Sequence, residues 1–129
     1  MVREYPKEYA KDFLKKAEKF LQIAKNNLDK YPEEAAFNAV QATINANDAF
    51  TIWVLEKRAS KDHREAIILH KEAAMKIGQS KSDIIHKELS ARDATGYDVR
   101  KIIKKSECIL LLKRAERFID FVENIISKE

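Results

Sequence analysis

The chain has 129 residues, with 25 Lys or Arg against 21 Asp or Glu, so its formal net charge is only +4. Two Gly, two Pro and one Cys are too few for a collagen-like or linker-rich chain, for an internal disulfide framework, or for the many turns of an all-β sandwich. The abundance of Ile, Leu, Phe and Ala argues against disorder. The composition therefore predicts a single helical domain, residues 1–129, from a reducing compartment.

The first two predicted helices follow from apolar residues at three- and four-residue steps. The first covers about residues 6–30, and the chain breaks at Tyr31-Pro32. Pro32 suits the first position of the second helix, because its missing N–H would be unpaired there anyway. The second helix, about residues 32–57, is apolar on several sides and rich in Ala. Such a helix is expected at the centre of a bundle or at an interface.

A polar stripe also runs along the second predicted helix. It consists of Asn38, Gln41, Asn45 and Asp48, whose steps of three, four and three place them on one face. Outer helix faces elsewhere in the chain are rich in Lys and Glu, whereas this stripe is three amides and one acid. The stripe is either a solvated face or a partly buried cleft or dimer seam. Its composition favours the cleft or seam.

Three further helices complete the predicted up-and-down bundle of about five. The third covers about residues 63–76, with Asp62 and Glu65 as a variant capping box and Gly78 as its stop. The fourth covers about residues 83–93 and ends at Thr95-Gly96. The last runs from a Ser106 cap to about residue 127.

A basic arm, residues 97–105, separates the last two predicted helices and carries Arg100, Lys101, Lys104 and Lys105. These cations could contact RNA phosphates, or the arm could be a solvated connector anchored by Ile102 and Ile103. The second interpretation is the more usual one for a run of charges.

Cysteine, histidine and glycine usage bears on catalysis and on cofactors. Cys108 lies on the apolar stripe of the last predicted helix, which indicates a buried structural thiol. His63, His70 and His86 have no metal-ligand spacing, so we expect no metal and no cofactor. Two Gly cannot build a phosphate loop from backbone amides, so side chains must bind any phosphate.

No apolar run reaches the roughly 20 residues that a membrane span needs. The first residues also lack the apolar stretch of a secretory signal. We therefore expect a cytoplasmic protein with no membrane association.

Several segments resemble the HEPN domains, the higher eukaryotes and prokaryotes nucleotide-binding family. Residues 35–50 (AAFNAVQATINANDAF) resemble the second-helix signature of that family, and residues 13–18 (FLKKAE) its first helix. Residues 60–64 (SKDHR) resemble the entry to its third helix. Residues 92–97 (RDATGY) and 115–119 (AERFI) resemble its C-terminal part. The resemblance spans nearly the full chain.

The resemblance implies a helical bundle that is usually dimeric and is often encoded beside a minimal nucleotidyltransferase, in toxin–antitoxin-like pairs. Many HEPN domains are metal-independent ribonucleases, with an Arg, a polar residue and, after four to six intervening residues, a His. The Arg can hold the scissile phosphate, and the His can move the proton of a ribose 2′-OH.

Two places in the chain can be compared with this ribonuclease motif. The aligned one has Arg92 and the polar Asp93, but Tyr97 stands where His is expected. Tyrosine is a poor general base near neutral pH, which argues against ribonuclease activity and leaves phosphate binding open. The other is Arg64 with His70, whose spacing fits but whose position does not. Six helical steps rotate these two side chains about 120° apart.

The sequence therefore favours a nucleotide- or RNA-binding helical protein, the partner of a minimal nucleotidyltransferase. In this interpretation Arg92 binds phosphate, Asp93 orients Arg92, and Tyr97 donates a hydrogen bond. The stripe Asn38, Gln41, Asn45 and Asp48 lines the opposite wall of the site. The alternatives are a metal-independent RNA endonuclease toxin and an adaptor that binds only protein.

Overall fold

The computed structural model describes residues 2–60, 63–79 and 104–127 of the chain. Within those ranges the fold consists of four helices and one short antiparallel ribbon: β1 (Arg3–Glu4), α1 (Tyr9–Asn27), α2 (Pro32–Leu55), β2 (Lys57–Arg58), α3 (His63–Ile77) and α4 (Lys105–Ser127). The predicted all-α bundle is confirmed, and α4 is the helix that the sequence predicts as the last. The predicted fourth helix, Arg92, Asp93, Tyr97, Arg100 and Lys101 lie outside the described residues.

Helices α1 and α2 form an antiparallel hairpin built on alanine. Ala10, Ala17 and Ala24 recur at seven-residue steps along α1 and are fully buried. A second row of fully buried alanines runs along α2: Ala35, Ala39, Ala42, Ala46 and Ala49. Because alanine is short, the two helix axes can approach closely along this seam. The ribbon confirms the antiparallel direction, since β1 precedes α1, β2 follows α2, and the two strands pair.

The start of α2 and the ends of α2 and α3 are set by local backbone conformation. Pro32 is the first residue of α2, as predicted. Helix α2 stops at Leu55 because Glu56 takes the left-handed conformation, φ 55°, and its N–H returns to the carbonyl of Ile52. Gly78, φ 72°, ends α3 as predicted, and the N–H of Gln79 donates to the Ala74 carbonyl at 3.0 Å.

Two N-terminal boundaries differ from the prediction. Helix α1 begins at Tyr9 rather than at about residue 6, because the preceding segment is held in the ribbon and the N–H of Tyr5 donates to the Glu56 carbonyl at 3.0 Å. Helix α4 begins at Lys105, so Ser106 lies inside its first turn rather than capping it. Lys105, predicted as the last residue of the basic arm, is therefore the first residue of α4.

Helix α2 is central, as its composition predicts, because α1, α3 and α4 all pack against it. The core between α2 and α4 is aromatic, with the rings of Phe50 and Phe121 5.4 Å apart and those of Phe118 and Phe121 5.9 Å apart. Cys108 is fully buried in α4, which confirms the predicted structural thiol. Burial also raises the pKa of that thiol, so it is a weak nucleophile.

Candidate functional site: a polar junction in the second helix

Two consecutive residues of α2, Asn47 and Asp48, form a polar junction inside the apolar core. They are 3% and 6% exposed, respectively. Because successive helical residues point about 100° apart, their side chains reach different neighbours. Asn47 contacts α3, and Asp48 contacts Arg58 of β2. The junction therefore joins three elements through polar contacts.

Asp48 and Arg58 form a charged pair. The Arg58 Nε donates to the Asp48 Oδ2 at 3.0 Å, with the carboxylate side chain 9% exposed and the guanidinium side chain 31% exposed. Burial raises the pKa of Asp48 to about 6, while the charges of Arg58 and Lys16 act in the opposite direction. Asp48 is therefore mostly ionised near neutral pH and depends on the guanidinium for that charge.

The Arg58 guanidinium is held on two further sides. Its Nη1 donates to the Tyr5 hydroxyl at 3.3 Å, and its central carbon lies 4.6 Å from the centre of the Phe13 ring. The Tyr5 ring meets the Phe13 ring edge to face, at 5.9 Å. The hydrogen bond from Arg58 lowers the pKa of the Tyr5 phenol, with a smaller effect from Arg3. Asp48, Tyr5 and Phe13 thus fix the position of this cation.

Asn47 and His70 form a neutral pair deeper in the core. His70 Nδ1 lies 3.0 Å from Asn47 Oδ1, and Asn47 Nδ2 donates to the Ala66 carbonyl at 3.4 Å. The imidazole is fully buried between the rings of Phe50 and Phe118, at 5.0 and 5.8 Å. Burial lowers the pKa of His70 to about 4, so the ring is neutral at pH 7 and donates from Nδ1.

The predicted pair Arg64 and His70 occupies two different environments on α3. Arg64 is exposed, whereas His70 is fully buried. This agrees with the rotation of about 120° expected for six helical steps. A ring enclosed by the core cannot reach a ribose hydroxyl, so this pair is not arranged for proton transfer to a substrate.

The predicted polar stripe divides into an accessible half and a buried half. Asn38 and Gln41 are half-buried, whereas Asn45 and Asp48 are each 6% exposed. Asn45 donates to the carbonyl of Gln41, one turn back, at 2.8 Å. A fully solvated face is therefore excluded for the C-terminal half of the stripe. The N-terminal half borders a shallow notch of about 310 Å³ lined by Glu33, Glu34, Phe37 and Asn38.

The described part of the basic arm lies beside the α1–α2 turn. Lys104 is exposed. The Lys105 Nζ pairs with the Asp29 carboxylate at 2.5 Å, and this contact lowers the pKa of Asp29. Lys105 therefore anchors the start of α4 to the turn, while Arg100 and Lys101 lie outside the described residues. In the described ranges, no three His, Cys, Asp or Glu side chains are grouped so that they could hold a metal ion.

Sequence reasoning missed three residues of the junction, namely Tyr5, Asn47 and Arg58. Asn47 lies one residue away from the predicted stripe, so helical spacing assigns it to another face. Tyr5 and Arg58 meet through two-residue strands, which are too short to show the alternation that identifies a strand. The available signal was the basic and aromatic residues that flank the hairpin in the sequence. Arg3 and Tyr5 precede α1, and Lys57 and Arg58 follow α2.

The comparisons with known proteins assign the chain to a family. No family model matches it. It is 30% identical over 118 residues to a UPF0332 protein of Archaeoglobus fulgidus, an alignment that covers 89% of this chain and 93% of that protein. The chain therefore belongs to the UPF0332 family. Among the helices that the structure describes, none is both long and apolar enough to cross a membrane.

Proposed function

We propose that this UPF0332 protein is a HEPN-like domain that binds a nucleotide or RNA as a cytoplasmic homodimer and is the partner of a minimal nucleotidyltransferase in a toxin–antitoxin-like pair. The observation that carries the proposal is the polar edge of α2. Asn38 and Gln41 are half-buried and remain accessible. Asn45 and Asp48 are buried and are held by hydrogen bonds within the fold. It lies within residues 35–50, the segment that most resembles the HEPN signature.

The geometry of α2 refines the roles proposed for the stripe. Asp48 is already paired with Arg58, and Asn45 with the α2 backbone. These two side chains would support the wall of the site, and Asn38 and Gln41 would contact the ligand or the second protomer. Arg92 would bind phosphate, Asp93 would orient Arg92, and Tyr97 would donate a hydrogen bond, as the resemblance implies.

The residues that can be compared with the ribonuclease motif favour binding over cleavage. His70 is buried among aromatic rings with a pKa of about 4, so it is a poor candidate for the base. Tyr97 occupies the position where the HEPN ribonuclease motif has its histidine. These residues are therefore better suited to bind phosphate than to transfer a proton near neutral pH.

The test is incubation of the purified protein with labelled single-stranded RNA, without metal, followed by measurement of both binding and strand cleavage. We expect saturable binding without cleavage, strongly weakened in Arg92→Ala and kept in Arg117→Ala, a change at an exposed arginine of α4. Cleavage that is lost in Arg92→Ala would instead establish the endonuclease. No binding of RNA or nucleotides, together with a co-purifying protein partner, would establish the adaptor.

A further inference from the structure

The register of the ribbon places two arginines side by side. Arg3 lies opposite Arg58, and Glu4 lies opposite Lys57. Residues directly opposite each other in an antiparallel pair project from the same face of the ribbon. One face therefore carries two cations, while the other carries a cation opposite an anion. Like charges in this position destabilise a ribbon unless an anion is close to them.

The structure compensates this charge only in part. The Asp48 carboxylate accepts a hydrogen bond from the Arg58 Nε and offsets its charge, but the carboxylate side chain is only 9% exposed. Lys16 adds a third cation close enough to lower the pKa of Asp48. Asp48 thus faces two cations, Arg58 and Lys16, and Arg3 adds a further positive charge to the ribbon face. The outer oxygen at this face is the neutral phenol of Tyr5, which accepts from Arg58 Nη1 at 3.3 Å.

The Tyr5 oxygen lies in the positive potential of two arginines. Both arginines lower the pKa of Tyr5, and Arg58 has the larger effect. The positive potential therefore stabilises an anionic oxygen at this position relative to the same oxygen in water. The face is open to solvent, since Arg3 is exposed and the Arg58 side chain is 31% exposed.

The Arg58 guanidinium is also held in position before a ligand binds. Asp48 accepts a hydrogen bond from the Arg58 Nε, and the central carbon of the guanidinium lies 4.6 Å from the centre of the Phe13 ring. A guanidinium held in this way loses little side-chain entropy when it binds an anion. Its planar array of N–H donors fits tetrahedral phosphate oxygens, which accept two parallel hydrogen bonds.

We propose that the face formed by Arg3, Tyr5 and Arg58 binds a phosphate group, either free or in a nucleotide or nucleic-acid backbone. The two guanidinium groups and the Tyr5 hydroxyl donate hydrogen bonds to its oxygens. Binding is non-covalent and neutralises the excess charge of the ribbon. The site consists only of described residues and is independent of Arg92.

The first experiment titrates the full chain with inorganic phosphate, with AMP and with a short oligouridylate, and follows binding by calorimetry. Arg3→Gln should weaken binding about tenfold, the loss of one or two charge-assisted hydrogen bonds. Lys57→Gln is the matched control, since it removes the same charge from the opposite face of the same ribbon, and should change affinity less than twofold. Equal weakening by the two variants, or absence of saturable binding by all three ligands, would overturn the proposal.

A second readout is specific to the site. Phosphate should raise the pKa of the Tyr5 phenol, because it offsets the field of the arginines, and ultraviolet titration of wild type against Tyr5→Phe isolates this phenol. Acetate at equal ionic strength should leave the pKa unchanged, and an equal shift by acetate would contradict a phosphate site. Arg58→Lys keeps a cation beside Asp48 but removes the planar guanidinium. This variant should remain folded and should lose the phosphate-induced rise in the Tyr5 pKa. Arg92→Ala should keep the shift, which separates this site from the proposed function.

Discussion

Asn47 and Asp48 are consecutive residues of α2, yet their contacts differ in charge, in burial and in the element that they reach. Asn47 joins a neutral imidazole of α3 that is fully enclosed by aromatic rings. Asp48 joins a guanidinium of β2 that is 31% exposed. The deeper position holds the uncharged pair, and the position near the surface holds the ion pair. This order follows from the desolvation cost, which is several kcal/mol for an ion and much less for a paired amide.

The charged pair should give the largest effect when one partner is removed. Arg58→Met leaves Asp48 buried without its counter-charge, and we expect a loss of about 3 kcal/mol in unfolding free energy at about pH 8. Urea unfolding measures this loss. Lys57→Met, the neighbouring change in the same strand, should stay within about 0.5 kcal/mol of wild type.

A compensating change sharpens this prediction. Arg58→Met combined with Asp48→Leu removes both charges from the junction and should recover most of the loss, because a buried pair can be replaced by packed apolar side chains. A double variant as unstable as Arg58→Met alone would show that the aromatic contacts of Arg58, rather than its charge, stabilise the ribbon.

The neutral pair should give a smaller effect. Asn47→Ala leaves the Nδ1–H of His70 without its Asn47 partner, and we expect a loss of about 2 kcal/mol. Asn26→Ala removes an amide that accepts a hydrogen bond from Gln22 on the exposed surface of α1, and should cost less than about 0.5 kcal/mol. Urea unfolding of both variants above pH 7 is the measurement. A loss for Asn47→Ala that varies with pH in that range would contradict a neutral pair.

The smallest effect is the pH dependence, and its sign differs between the two pairs. The folded chain holds His70 unprotonated down to about pH 4, whereas the unfolded chain protonates it below 6.5. His70 therefore contributes stability that rises with pH between these values. Asp48 keeps its proton up to about pH 6 when folded and loses it above 3.8 when unfolded, so its contribution falls as pH rises.

In wild type the contributions of Asp48 and His70 oppose each other between about pH 4 and 6. Glu123 adds a contribution that falls as pH rises, because its hydrogen bond with Glu18 raises its pKa to about 7. Relative to wild type, Asp48→Asn should gain stability with rising pH and His70→Gln should lose it, each by about 1–2 kcal/mol over this range. Thermal or urea unfolding across the range measures both slopes. Slopes of the same sign in the two variants would show that other groups dominate the titration.

The sequence predicts those features that depend on neighbours along the chain. The start of α2 at Pro32, the end of α3 at Gly78 and the burial of Cys108 each follow from a local rule or from helical spacing. The division of the polar stripe does not, because Asn45 and Asp48 are buried by elements that approach α2 in three dimensions. The Arg58 contacts depend on a chain reversal at Glu56, a residue type that rarely adopts the left-handed conformation.

The aromatic contact between α2 and α4 has a consequence for the order in which the chain can fold. The alanine seam and the ribbon need only residues up to 58, so the α1–α2 hairpin can form early during synthesis. His70 of α3 can cover one side of the Phe50 ring, but the side that packs on Phe121 stays uncovered until α4 has been made, more than sixty residues later. During that interval the nascent chain exposes an aromatic surface of the kind that chaperones recognise.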